Sequence, residues 1–238
     1  MIFDRVGANN ANDVKRWYLH TMEKPLCIDG GLTPDKSVHP EGHFLADGRT
    51  LRAPHGGSAL FSRTLLPEKA IIRVLGGKGH QFEVNGVNHD MTDAWWQMMA
   101  TPDGRAVLER LGAGWWRVEV EPQDKQANDV FLHVLWATDD GAKEMFPVEK
   151  IEKDGQVGAK FTAGGSDVEV TFARTGEVAG HIKITRGGKA IRDRALAAGI
   201  EDNYQKWSSD PRFNGWMTSP YMRAAIGEKE QDLFKAGK

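Results

Sequence analysis

Three histidines lie in a segment rich in glycine and proline, where imidazoles could bind a metal ion. His39 and His43 belong to the sequence H-P-E-G-H, and His55 follows in A-P-H-G-G. Zinc accepts imidazole nitrogens together with a carboxylate such as that of Glu41. The proline and glycine between the first two histidines disfavour a helix, so the helical H-E-x-x-H zinc motif is absent. His39, His43 and His55 are therefore candidate ligands, although the spacing by itself predicts no bound metal. The alternative is a solvated loop that contacts a substrate or a partner domain.

A second set of residues could move a proton and bind a carboxylate. His20 and His133 lie in predicted strands, and an imidazole that opens into a cleft can act as acid or base near neutral pH. Tyr18 and Arg117 are the nearby residue types that could assist them. The structural alternative is that strand histidines are buried or paired. The sequence contains no nucleophile elbow, dinucleotide fingerprint or P-loop, so His20, Tyr18, His133 and Arg117 are candidates without an assigned role.

Tryptophan is unusually frequent for a chain with so few tyrosines. The sequence has 8 Trp and 3 Tyr, and flat aromatic side chains are suitable platforms for sugar rings. Trp95, Trp96, Trp115 and Trp207 are the candidate substrate-binding residues. The alternative is that these side chains belong to the core, as expected for the tryptophans inside predicted strands.

Composition excludes several classes of protein. The 238 residues carry a net charge of −2, so no strong basic field is present to hold nucleic acid. No apolar run is nearly as long as a membrane-spanning helix, which needs about 20 residues. Cys27 is the single cysteine, and the N-terminal sequence has no signal-peptide pattern. At about 100–200 residues per domain, the chain is long enough for one large domain or two small ones.

The elements that must position these side chains are mostly strands. Apolar and polar residues alternate from the start of the chain to about residue 186, with turn signals spaced about 10 residues apart, a pattern typical of an antiparallel β-sandwich. Alternation in Trp115–Glu121 places Arg117 on the face opposite Trp116. Residues 1–186 are therefore predicted to form an antiparallel β-sandwich, and residues 187–238 a helical tail packed on it. The predicted helices cover Ala190–Ala198, Pro220–Ile226, Glu228–Ala236 and, as an excursion between strands, a short segment ending at Gly112.

Six stretches, taken in order, resemble the β-sheet region of the heparinase II/III-like polysaccharide lyases. They span roughly residues 1–186 and are F-D-R-V, K-R-W-Y-L-H-T, T-L-L-P-E-K-A, G-G-K-G-H-Q-F-E-V-N-G, G-W-W-R-V-E-V-E-P and D-V-F-L-H-V-L. The resemblance implies a protein that acts on uronic-acid-containing polysaccharides, such as glycosaminoglycans, by β-elimination. It also implies a periplasmic or secreted location and, in the full-length family, a divalent metal.

The departures from this family limit what the resemblance implies. Its N-terminal α/α-toroid, which carries much of the active cleft, has no counterpart here, nor does the H-x-H-x-D segment before the F-D-R-V strand. We therefore expect a β-sandwich portion that is inactive alone, with acidic polysaccharide and an α/α-toroid domain as partners and no cofactor of its own. Nucleic acid and membranes are not expected partners. No catalytic residue is transferred from the family. The alternatives are a free-standing carbohydrate-binding β-sandwich and a complete enzyme with a compact site on the sheet face.

Overall fold

The alternating residues form strands that pair into antiparallel sheets. The structure, a computed structural model, describes residues 1–38, 41–77, 79–89, 101 and 115–196. Seventeen strands occur in these residues, and every pairing between them is antiparallel. The described part is therefore mainly β, as the sequence predicts, and its sheets are consistent with a β-sandwich.

Three five-stranded sheets and one small hairpin make up this part of the chain. Sheet I has the order β1 (Ile2–Gly7), β12 (Asn128–Asp139), β7 (Ser58–Leu66), β6 (Thr50–His55) and β3 (Leu26–Cys27). Sheet II has the order β2 (Trp17–Thr21), β11 (Trp116–Pro122), β8 (Ala70–Gly76), β5 (His43–Ala46) and β4 (Leu32–Pro34). Sheet III has the order β13 (Val148–Lys153), β14 (Gln156–Ala163), β15 (Ser166–Ala173), β16 (Gly180–Arg186) and β17 (Lys189–Leu196). The hairpin consists of β9 (Glu83–Val84) and β10 (Val87–Asn88).

Sheet I lies between the other two large sheets, because strand β12 contributes side chains to two separate cores. Phe131 packs with residues of sheet II, whereas Leu132 and Val134 pack with residues of sheet III. The first core contains Leu51, Ile72, Val74, Val118, Val120 and Phe131. The second core contains Leu65, Leu66, Leu132, Val134, Val157 and Ala159. The nearly continuous apolar sequence of this strand predicts burial on both faces, and the structure confirms it.

Other strongly alternating segments are strands, as the sequence predicts. This holds for β7, β8 and β11–β16. The Asn85-Gly86 dipeptide, which is typical of a two-residue hairpin turn, joins β9 and β10. Both residues have positive φ, 51° and 79°, as a two-residue turn of this sequence requires.

The predicted helix over Ala190–Ala198 is wrong for the residues that the structure describes. Lys189–Leu196 is strand β17, which pairs with β16 across a turn at Gly187 and Gly188. Sheet III thus continues past residue 186, and residues 1–196 form one compact unit. The other predicted helices lie outside the described residues. No helix long and apolar enough to span a bilayer occurs in the described part of the chain.

A glycine in sheet III offers a test of how tightly its strands approach. A Cβ at Gly158 of β14 would lie 2.0 Å from the backbone oxygen of Val170 in β15. We expect Gly158→Ala to lower the free energy of unfolding by about 1–3 kcal/mol, because backbone must move to admit the methyl group. Urea denaturation measures the change. Lys160→Ala, at an exposed position of the same strand, is the control, and equal effects of the two substitutions would contradict the prediction.

Candidate functional site

One row of side chains crosses the outer face of sheet II, the face turned away from sheet I. His43 of β5 pairs with Leu75 of β8, Leu75 pairs with Arg117 of β11, and Arg117 pairs with His20 of β2. Directly paired residues of an antiparallel sheet project from the same face. The alternate residues of these strands, such as Trp116, pack in the core with sheet I. The prediction that Arg117 lies opposite Trp116 is therefore confirmed.

A charged network occupies the neighbouring positions of the same face. Arg117 forms an ion pair with Glu119, with Nη2 2.7 Å from Oε1. Arg16 and Arg73 bind Oε2 of Glu121 at 2.8 and 3.0 Å. Three guanidinium groups thus face two carboxylates, which leaves an excess of one positive charge among these five side chains.

Tyr18 and His20 lie beside Arg117 on the exposed edge of this face. The guanidinium carbon of Arg117 is 5.6 Å from the ring centroid of Tyr18, whose side chain is half exposed. The pKa of His20 is lowered by partial burial and by the charge of Arg117, and the carboxylate of Glu119 offsets part of this shift. The imidazole of His20 is therefore neutral at neutral pH and able to accept a proton.

His43, at the other end of the row, belongs to a cluster with His80 and Glu83. Nε2 of His43 lies 2.9 Å from both carboxylate oxygens of Glu83. Nδ1 of His80 lies 2.6 Å from Oε2 of Glu83. The two imidazole rings meet edge to face, with 5.5 Å between centroids. One potential ligand atom from each residue lies within 4.8 Å of the others.

Local structure holds this cluster in place. His43 is in β5, whereas Glu83 begins the short strand β9, and the Asn85-Gly86 turn folds β10 back onto it. A Cβ at Gly42 would lie 2.2 Å from Cγ of His80, so the imidazole ring rests directly on this glycine. Glycine at this position is therefore required for the observed placement of His80.

The charge of the cluster is set by Glu83. Its carboxylate is almost fully buried, and desolvation by itself raises the pKa of such a group. Hydrogen bonds from His80 and His43 outweigh that effect, so the pKa of Glu83 lies below its usual value. The cluster therefore contains a carboxylate ion between two imidazoles.

The structure does not place His133 with the other catalytic candidates. Its side chain is fully buried between sheets I and II, where the ring stacks on Trp17 at a centroid distance of 3.8 Å. Oγ1 of Thr64 lies 3.2 Å from Nδ1. His133 is thus a core residue of the inner faces, whereas Tyr18, His20 and Arg117 share the outer face of sheet II.

Of the remaining candidates, only Trp115 and His55 lie within the described residues. Trp115 lines an open cleft of about 480 Å³ together with Trp116, Glu23 and His55. His55 is exposed and 3.9 Å from Glu23, so it is not part of the cluster formed by His43. Trp95, Trp96, Trp207 and His39 lie outside the described residues.

Sequence reasoning missed His80 and Glu83 as partners of His43. The only local signal is the spacing H-x-x-E just before the Asn85-Gly86 turn, which places both residues at the start of a hairpin. Nothing in that spacing indicates pairing with β5, because the contact depends on the non-local register between β5 and β8.

Comparison with known proteins adds no family to this description. No protein-family model matches the chain, and a search of curated proteins found no match. The heparinase II/III-like assignment therefore stays a prediction from sequence resemblance.

Proposed function

We propose that this chain is the β-sheet part of a polysaccharide lyase and binds uronic-acid-containing polysaccharide on the outer face of sheet II. The observation that carries the proposal is the placement of Tyr18, His20 and Arg117 on one accessible face. These are the residue types that β-elimination of a uronate requires: a proton acceptor and a cation for the carboxylate. The resemblance of residues 1–186 to heparinase II/III-like lyases supports the same substrate class.

The chemistry of elimination explains why these groups belong together. A base removes the proton at C5, the electron pair forms the C4–C5 double bond, and the glycosidic oxygen at C4 leaves as a hydroxyl after receiving a proton. The C5 proton is weakly acidic, so a cation must neutralise the uronate carboxylate and stabilise the negative charge that develops. On this face, Arg117 supplies the cation and neutral His20 supplies a proton acceptor, with Tyr18 beside them.

The second candidate function is carbohydrate binding without cleavage. It is favoured by the open cleft that the half-buried Trp115 and Trp116 line, because tryptophan rings that border a cleft can stack on sugar rings. Retention of neutral glycans that depends on Trp115 would support this function over binding at Arg117.

Removal of Arg117 is expected to weaken binding of acidic glycan. We expect Arg117→Gln to raise the dissociation constant for a uronate polymer about 10–100-fold, since hydrogen bonds to a charged group contribute about 1.5–3 kcal/mol. Calorimetry with acidic and neutral polymers measures this. Arg174→Gln, which removes an exposed arginine of the loop between β15 and β16, is the matched control. Tyr18→Ala provides a second test at an exposed position if Arg117→Gln fails to fold.

Two outcomes would contradict the proposal. One is the absence of binding to every acidic glycan by a folded protein, and the other is equal binding by wild type, Arg117→Gln and Tyr18→Ala. In a parallel assay of unsaturated uronate by ultraviolet absorbance, we expect binding without product, because the resemblance assigns much of the cleft to an α/α-toroid. Product that disappears in His20→Gln would instead assign the complete reaction to this face.

A further inference from the structure

We infer that His43, His80 and Glu83 form a binding site for a divalent transition metal, with zinc as the best match. The inference concerns residues that the glycan-binding proposal does not use, so either can fail without the other. It rests on three ligand-type side chains that lie close together, one from β5 and two from the segment just before the Asn85-Gly86 turn.

The donor set selects the class of metal. Two imidazole nitrogens and one carboxylate oxygen suit zinc and related transition metals, whereas calcium and magnesium prefer oxygen ligands. Both nitrogens already lie within 3 Å of the Glu83 carboxylate. A zinc ion forms bonds of about 2.0–2.2 Å to nitrogen and oxygen. To admit such an ion, each imidazole nitrogen would have to move away from the Glu83 oxygens by less than about 1 Å.

The side chains of this cluster are largely buried, as in a pre-formed binding site, and do not meet by chance at the surface. The side chains of His43 and Glu83 are 5% and 4% exposed, and Gly42 leaves room for the ring of His80. A buried carboxylate with no cation is costly. Without a metal, Glu83 is stabilised by two N–H donors; with a metal, the ion supplies the opposite charge directly.

Three protein ligands leave a fourth tetrahedral position open. Sites with three protein ligands and one open position bind water or substrate there, whereas closed sites with four ligands are structural. His43 lies in the same cross-strand row as Arg117, two strands away. His43 and Arg117 therefore project from the same face of sheet II.

Titration of metal-free protein with zinc is the direct test. We expect one zinc per chain by calorimetry, and a cobalt-substituted form with the intense visible absorption of a tetrahedral site. Loss of an outer-shell partner weakens metal binding about 10–100-fold. His80→Ala and Glu83→Gln remove direct ligands and should weaken zinc binding by more than this. Gly42→Ala retains all three ligands but displaces His80, and should weaken binding about 10–100-fold.

The controls separate this site from casual zinc binding and from misfolding. His55→Ala and His181→Ala remove partly exposed imidazoles elsewhere and should leave the affinity unchanged. Circular dichroism checks that each variant is folded, and zinc should raise the melting temperature of wild type but not of Glu83→Gln. The inference is overturned if folded wild type binds no zinc, or if the His80, Glu83 and Gly42 variants bind it as wild type does.

Discussion

Replacing Lys15 by methionine is expected to lower the free energy of unfolding by about 3–5 kcal/mol, because it leaves a buried carboxylate without its counter-charge. The side chains of Lys15 and Asp129 are 7% and 1% exposed, and Nζ lies 3.1 Å from Oδ2. Oδ2 of Asp129 has no hydrogen bond within the described residues. The ammonium group is therefore its main compensation. Since domains are stable by only about 5–15 kcal/mol, urea denaturation at neutral pH should show a large shift of the midpoint.

The expected effect is large also because this pair joins two sheets. Nζ of Lys15 donates to the backbone oxygens of Asp13 and Gln126, at 3.1 and 2.6 Å. The side chain of Gln126 in turn donates to Oδ1 of Asp129, which lies in β12 of sheet I. Lys15 itself lies two residues before β2 of sheet II. Loss of the ammonium thus weakens the contact between the segment that leads into β2 of sheet II and strand β12 of sheet I.

A double-substitution cycle separates the loss of the pair from the cost of an isolated charge. Lys15→Met combined with Asp129→Leu removes both charges, and we expect the double variant to be less destabilised than the sum of the two single variants. Lys69→Met breaks an exposed pair with Asp124 and should change stability by no more than about 1 kcal/mol. A loss below 1 kcal/mol in Lys15→Met would contradict the prediction.

Periodicity predicts the long strands of this fold because their alternate residues enter a core. The segments that became β7, β8 and β11–β16 all carry this signal. This signal is too weak for β3–β6, because β3–β5 have only two to four residues. In addition, the segment from Leu26 to His55 is broken by glycines and prolines that indicate loops. Strand β17 was predicted as a helix from its alanines and arginines. Pairing with β16 across the Gly187-Gly188 turn outweighs that local preference.

The candidate site shows the same division between local and non-local information. Alternation alone places Tyr18 and His20 on one face of their strand, and Arg117 opposite Trp116. It does not show which strands are neighbours, and so cannot place His43 in the row of Arg117. The interior position of His133 is also non-local. It depends on Trp17, which comes from a different sheet and more than 100 residues away. The spacing of residues in the sequence therefore identifies candidate residues one at a time. Only the pairing register between strands shows which of these residues lie together.

Acid is expected to destabilise this protein through His133, starting well above the pH at which carboxylates take up protons. Its ring is fully buried, and Nε2 has no hydrogen-bond partner within the described residues. Desolvation, with a smaller contribution from the charge of Arg49, lowers the pKa of His133 from 6.5 to about 3. A proton on this ring would place an uncompensated charge between sheets I and II.

The direction of the pH effect follows from these two pKa values. The unfolded chain binds a proton at His133 below about pH 6.5, whereas the folded chain does not until about pH 3. Between these limits the unfolded state holds more protons, so stability falls as the pH falls, by up to about 1.4 kcal/mol per pH unit. From pH 6 to pH 4 we expect a loss of about 2–3 kcal/mol from this residue.

A neutral replacement isolates the contribution of His133 from that of the carboxylates. His133→Gln retains a group able to hydrogen-bond Thr64 but cannot take up a proton in this range. The difference in unfolding free energy between wild type and this variant, measured in urea at pH 7, 6, 5 and 4, should therefore shift steadily towards the variant as the pH falls. His55→Gln, at an exposed position, should follow wild type. Because any overall cost of His133→Gln is the same at every pH, parallel curves for wild type and His133→Gln would show that His133 does not remain neutral in the fold.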